Sequence, residues 1–419
     1  MNDNRPSESD KPACAGPLTN LTRRRFLASA GASAVSVTLL KSTLVDAAEA
    51  NSRIDFGLVG CGARGTWIAG LFAKHGGYNV AAVADYFPDK AEAAGEKLGV
   101  PAARRFTGLS GCRKLLESKL EAVAIISPPY FHPEQAAAAV EAGKHVYLAK
   151  PVGVDVPGCQ SIARSGRKAT GKKQVFLVDF QTRATPAYQE VVKRVQAGEI
   201  GPIKSAEATY MCDLYFAAMD AEFRKSRRDA DARLRAWAVD RVLSGDIITE
   251  QNIHALDVAT WFLDAEPLKA VGTGGRARDF QGDCWDHFAV IFTFPNNVIV
   301  SFSSKQFGAA YNDILCRVYG TTGTAETHYG GKVWVRSHED VFSGDTNNIY
   351  ADGAISNITA FHKSITEGDC ANSTVAPSVR SNLTTILGRT AAYQQREVTW
   401  AEMMKRSEKL EFDTRGLKT

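Results

Sequence analysis

The chain has 419 residues, 44% hydrophobic and 23% charged, with 50 basic against 46 acidic side chains. That is an ordinary globular composition, long enough for two domains at roughly 150 residues each. A net charge of +4 gives no whole-chain ground for binding nucleic acid or anionic lipid, and Gly 35 with Pro 15 excludes a collagen-like or low-complexity chain.

The one long apolar stretch, Ala28 to Leu40, is too short to span a bilayer comfortably. Thr22-Arg23-Arg24-Arg25-Phe26-Leu27 precedes it and Ala48-Glu49-Ala50 follows. A basic start, a weak apolar run and small residues at the end form a twin-arginine export signal. Residues 1–50 are therefore expected to be signal and linker, with the folded protein exported to the periplasm or beyond. No membrane span is expected in the mature chain. Past Cys14 the cysteines are scattered, without a CxxC pair, so neither a disulfide framework nor a metal site is expected.

The mature chain opens with Ile54-Asp55-Phe56-Gly57-Leu58-Val59, a short apolar run suited to a buried parallel strand. Gly60-Cys61-Gly62-Ala63-Arg64-Gly65 follows, then helix-compatible residues from Trp67 to Lys74. A second run, Val80 to Ala84, ends in Asp85, 20 residues beyond Gly65. In this pattern Gly60 permits the turn, Gly62 lets the backbone approach a pyrophosphate, and Gly65 lets helix and strand pack closely. The helix start beginning at Ala63 and Arg64 aims its amides at the phosphates. Asp85 is placed to accept from ribose hydroxyls. Its charge repels a 2′-phosphate, which favours NAD over NADP.

The alternation continues through a helix at Gly111–Leu116 and strands at Ala122–Ile126 and His145–Leu148. A helix, Glu134–Ala142, separates the two strands. This predicts a doubly wound parallel Rossmann sheet over residues 51–173. Gly60, Asp85, Ser127, Pro128 and Lys150 all fall at the carboxyl ends of its strands, where ligands bind. From 174 to 419 the texture changes. Strands are expected at Gln174–Phe180, Ile203–Met211, Phe288–Phe294, Val298–Ser304 and Leu315–Tyr319, with a helix over Gly245–Leu263. This predicts an α+β unit with a large open, mainly antiparallel sheet. The overall class is α/β.

Several motifs now stand in order. They are the glycine motif, Gly143-Lys144-His145-Val146 followed by Lys150-Pro151, and His254-Ala255-Leu256-Asp257. Gly320-Thr321-Thr322-Gly323-Thr324-Ala325 and Leu387-Gly388-Arg389-Thr390-Ala391-Ala392-Tyr393 follow. With these, nearly all of the mature chain resembles the glucose–fructose oxidoreductase, inositol dehydrogenase and MocA (Gfo/Idh/MocA) family. The resemblance implies that Lys150 sits beside the nicotinamide and the reacting hydroxyl. Ala149 stands where the family usually has Glu. Glu250 stands where it has an Asp four residues before the matching His254. The resemblance also implies that His132 touches the nicotinamide ribose or orders its loop, and that Gln181-Thr182-Arg183 borders the substrate.

From the residues themselves, Glu250 and His254 at i, i+4 share a face if the segment is helical. Oxidation of an alcohol needs a base for the hydroxyl proton, and histidine suits neutral pH. A cation such as Lys150 stabilises a developing alkoxide. Asn252 lies between Glu250 and His254, and Trp237 offers an aromatic face to a sugar. Three functions stay open. One is an NAD-dependent oxidoreductase of a sugar, glycoside or cyclitol with tightly held cofactor. The second is a redox-neutral glycoside hydrolase or lyase using NAD transiently. The third is a silent NAD-binding sensor. A homo-oligomer through the open sheet is expected.

Overall fold

Short apolar strands alternating with helices build the first sheet. The computed structural model describes residues 53–213, 216–225, 228–278, 282–338 and 341–419, so the expected export signal lies outside the described residues. The strands are β1 Ile54–Val59, β2 Tyr78–Asp85, β3 Arg105–Thr107, β4 Ala122–Ile125, β5 His145–Ala149 and β6 Phe176–Asp179. Their order is β3-β2-β1-β4-β5-β6, and every neighbour is parallel. β4 and β6 are buried along their whole length, as strands covered on both faces must be. The strand order reverses between β1 and β4, opening a crevice beyond their carboxyl ends.

The strand expected to open the second unit belongs to the first. Phe176–Asp179 pairs in parallel with β5, so the boundary drawn at residue 173 falls one strand early. Its apolar run could join either sheet; pairing with β5 buries it completely.

The second sheet comprises β7 Ile203–Cys212, β8 Lys269–Gly275, β9 His287–Phe294, β10 Val298–Gln306, β11 Asp313–Gly320, β12 Gly323–His328, β13 Lys332–Ser337, β14 Val341–Asp345 and β15 Val398–Thr399. Its order is β14-β13-β12-β11-β7-β10-β9-β8-β15, antiparallel throughout except between β7 and β10. The helices Ile253–Leu263 and Val375–Gln394 pack on one face. Phe288, Phe292, Phe294 and Phe302 are buried there, each contributing about 1.5–3 kcal/mol by leaving water. The other face leaves Val271 and Ile291 exposed. Helix Ile349–Glu367 returns to the first sheet, where Ile358 and Phe361 join Phe56, Phe72 and Tyr147 in one core cluster.

Among the described residues the cysteines are free thiols, all buried but Cys370. No helix among those residues is long and apolar enough to cross a membrane.

His132 is a fold residue. Its ring nitrogens each lie 2.8 Å from a main-chain carbonyl, of Ser127 and of Pro151, and it is 1% exposed. As a neutral ring it donates to one of these carbonyls and abuts the other, bringing the loop after β4 against the end of β5. Burial pushes its pKa down to about 4, from an ordinary 6.5, against the two carbonyls, which favour the charged ring. Between those values the folded protein binds fewer protons than the unfolded chain, so stability falls as pH is lowered through the window. Denaturant unfolding should show His132→Asn escaping an acid loss of up to about 3 kcal/mol that the parent suffers. Parallel stability–pH curves for the two proteins would contradict this assignment.

Candidate functional site

The glycine loop is shaped by contacts that leave room for one ligand. Gly60 has φ +93°, and a Cβ there would stand 2.6 Å from the Ile126 carbonyl. A Cβ at Gly65 would lie 1.8 Å from the Gly60 oxygen, so helix Ala63–His75 can start here only with glycine. At Gly62 nothing lies within 4 Å of that position, which is the open approach a pyrophosphate needs. Asp85 closes β2. Its Oδ2 accepts from the Cys61 amide at 2.7 Å and its Oδ1 from the Phe87 amide at 2.9 Å. The carboxylate is thereby fixed, and each oxygen keeps a further acceptor position for a ribose hydroxyl. Burial pushes its pKa up, against those two amide bonds. These residues fit a dinucleotide.

At the end of β5, Lys150 Nζ donates to the Glu250 main-chain oxygen at 2.5 Å and to Glu250 Oε1 at 3.2 Å. Both side chains are only 9% exposed. Burial lowers the Lys150 pKa, with Glu250 acting against it. Around this pair, Glu250 Oε2, His254 Nδ1 and both amide atoms of Asn252 are buried without hydrogen-bond partners. Burial, then the Lys150 and Arg64 charges, push the His254 pKa well below its ordinary value. A neutral imidazole, an ammonium and an uncommitted amide therefore converge on one segment. Their unsatisfied atoms suit a ligand rich in hydroxyl groups.

The helix expected over Gly245–Leu263 is interrupted between Glu250 and His254. The helix breaks, ending as Ile247–Glu250 and resuming as Ile253–Leu263. Gln251 supplies the reason, since its Oε1 accepts from Tyr210 at 2.9 Å and from Gln306 Nε2 at 3.1 Å, tethering the backbone to the second sheet. The break turns Glu250 toward Lys150.

Other expected site residues serve the protein's interior. Arg64 donates to Asp179 at 2.7 Å and lies over the Trp67 and Tyr350 rings. Gln181, 1% exposed, reaches the same carboxylate at 3.4 Å. Arg183 grips Asp257 through Nε and Nη2 at 2.9–3.0 Å, and Ser381 donates to that carboxylate. Trp237 packs with Phe87, Leu234, Leu243, Phe412 and Leu417. Buried carboxylates thus engage Gln181 and Arg183, and Trp237 lies partly exposed on an apolar cluster. Ser127 donates to Gln135 Oε1 at 2.5 Å and its carbonyl faces His132, while the Pro128 carbonyl accepts from Phe131, which keeps this loop rigid. Asp179, fully buried with Asn357 donating at 2.8 Å, was missed; its place at the end of a parallel strand was the available signal.

The glycine-loop sheet matches a family model described as "Oxidoreductase family, NAD-binding Rossmann fold" over residues 54–178. The following segment matches "GFO/IDH/MocA C-terminal domain" over residues 188–326. The chain is 28% identical over 262 residues to levoglucosan dehydrogenase of Pseudarthrobacter phenanthrenivorans, covering 56% of this chain and 63% of that one, just under two thirds of its length. It is 26% identical over 277 residues to inositol 2-dehydrogenase of Rhizobium meliloti, covering 66% and 73%. In fold it is similar to scyllo-inositol dehydrogenase from Lactobacillus casei solved with NAD(H) and scyllo-inositol, with TM-score 0.66, 22% identity, and 83% and 99% of the two chains covered. A 3-ketoreductase from Actinomadura kijaniata solved with NADP is similar too, with TM-score 0.64, 19% identity, and 81% and 98% covered. With one model on each sheet and the two together spanning most of the described residues, the chain belongs to the Gfo/Idh/MocA family of oxidoreductases.

Proposed function

We propose that this protein oxidises a secondary hydroxyl of a sugar, glycoside or cyclitol, using NAD held by the Gly60–Gly65 loop and Asp85. The observation that carries this reading is the buried Lys150–Glu250 pair beside the partnerless His254 Nδ1 and Asn252 amide. The names of the levoglucosan and inositol dehydrogenase relatives support the substrate class. When bound, NAD supplies the hydride acceptor. Lys150, charged and nearly dry, holds the reacting oxygen and steadies the negative charge that develops on it. His254, kept neutral by its surroundings, accepts the hydroxyl proton. Asn252 offers a donor and an acceptor to neighbouring hydroxyls, and Glu250 holds Lys150 in place.

Preference for NAD over NADP rests on Asp85, and on Tyr86, whose hydroxyl donates to Asp231 at 2.5 Å. Where a 2′-phosphate would ask for a cation, this chain presents a carboxylate at Asp85 and a tyrosine that engages a second one. The twin-arginine signal in residues 1–50 supports export after folding. An exported enzyme cannot readily replace lost nucleotide, so it holds the nucleotide tightly and reoxidises it in place with a second substrate. The apolar residues on the open sheet face, Val271 and Ile291, support pairing of copies there. Cell fractionation and light scattering check these two points.

Two measurements test the core reading. Lys150→Ala and His254→Ala should each lower turnover about a hundredfold or more, the scale of a lost acid–base group. Fluorescence titration should show NAD binding largely retained; near-normal turnover in both variants removes them from the chemistry. Protein purified without added nucleotide should release NAD(H), close to one per chain, on denaturation. Asp85→Ala with Tyr86→Arg should shift binding toward NADP. Release of NADP(H), or of nothing, overturns the cofactor assignment.

A further inference from the structure

A second polar site lies away from Lys150. A cavity of about 230 Å³ opens where Arg241, Arg389 and Arg406 converge with Tyr393 and Glu408. It is small for a sugar or a nucleotide, whose pockets run to about 300 Å³ and more. The proposed reaction uses none of these residues.

The arginines are under-satisfied. Arg389 is 8% exposed, and its hydrogen bonds among the described residues all run through Nη1, to the Val154 oxygen at 2.9 Å and the Gly245 oxygen at 2.7 Å. Arg241 lays its guanidinium over the Tyr393 ring at 4.8 Å, and its Nε is buried without a hydrogen-bond partner. Arg406 stands half exposed at the rim, 3.5 Å from Glu408. Of the acids whose charge bears on these arginines, Asp283 accepts from the Arg241 main-chain amide at 2.6 Å, and Asp246 and Asp155 are largely occupied. Asp246 accepts from the Tyr393 hydroxyl at 2.6 Å and from the Ile247 amide at 2.7 Å. Asp155 takes the Gly158 and Leu410 amides. Buried guanidinium donors without acceptors are costly. A group with acceptor oxygens on every side would satisfy several at once.

We propose that this cavity binds a small oxyanion, phosphate or a phosphate monoester, and that its occupancy is felt at the catalytic segment. The link is short. Arg389 holds the Gly245 carbonyl and Tyr393 holds Asp246, which caps the helix Ile247–Glu250. The residues that receive the oxyanion are therefore those that fix the helix carrying Glu250. The second half of the proposal rests on the role given to Glu250 above; the binding half does not.

Calorimetric titration tests binding directly. The full-length protein is saturated with NAD, which keeps phosphate from the glycine loop, and ionic strength is held with sodium chloride. Sodium phosphate is the probe in one arm and glycerol 3-phosphate in the other. Saturable one-site binding in either arm is expected, and the tighter arm names the source. Arg241→Gln should weaken it about tenfold, the loss of a charge-assisted contact. Arg406→Gln, at the exposed rim, makes the same comparison with no risk to the core. No saturable binding in either arm, or binding unchanged in both variants, overturns the site. Phosphate should also change KM or kcat for the alcohol at least about twofold in the parent and not in Arg241→Gln. A filled cavity with unchanged kinetics overturns the transmission and leaves the binding result standing.

Discussion

The site depends on one buried ion pair. Lys150 directly follows β5 of the first sheet, and Glu250 closes the short helix leading toward the second. Taking an ammonium and a carboxylate out of water costs several kcal/mol per ion, and their attraction repays this only with further hydrogen bonds. The extra bond here is the one from Lys150 to the Glu250 main-chain oxygen. Side chain and backbone of one residue thus clasp the same ammonium, joining the two sheets at the point where the chemistry is proposed.

That clasp needs the helix to break. A continuous helix through Gln251 and Asn252 would turn the Glu250 carbonyl into an ordinary backbone acceptor. Tyr210 and Gln306 prevent this by holding the Gln251 side chain. Asp246, at φ +73° and held by Tyr393, starts the short helix from the other end. A left-handed aspartate is costly unless its surroundings fix it, and here a hydroxyl and an amide do so. The segment 246–254, tied at Asp246 and at Gln251, carries Glu250, Asn252 and His254 together.

The first sheet was legible because parallel strands covered on both faces read as continuous apolar runs. β1, β2, β4 and β5 fall where their runs lie. β6 was legible as a strand and not as a member of that sheet, since an apolar run does not name its partner. In the second sheet β7, β9, β10 and β11 stand out as short strand-like runs set off by turn signals, whereas β8, with Gly272, Gly274 and Gly275, offers no such run. At the candidate site, Gly60 and Asp85 stand out by spacing, and Lys150 by its strand-end place and the family resemblance. The Glu250–Lys150 contact was not, because it follows from tertiary bonds to Gln251 that no local pattern encodes. For the same reason the bonds of Gln181 to Asp179 and of Arg183 to Asp257 are not legible in the sequence.

In the proposed reaction a carbon-bound hydrogen leaves a hydroxyl-bearing carbon beside Lys150 and His254. Rapid mixing of NAD-loaded protein with cyclitols and sugars, unlabelled or deuterated at the reacting carbon, tests it most directly. The absorbance of reduced nicotinamide should appear within a single turnover, and more slowly with the deuterated compound. Tightly bound NAD that no member of such a panel reduces would contradict it.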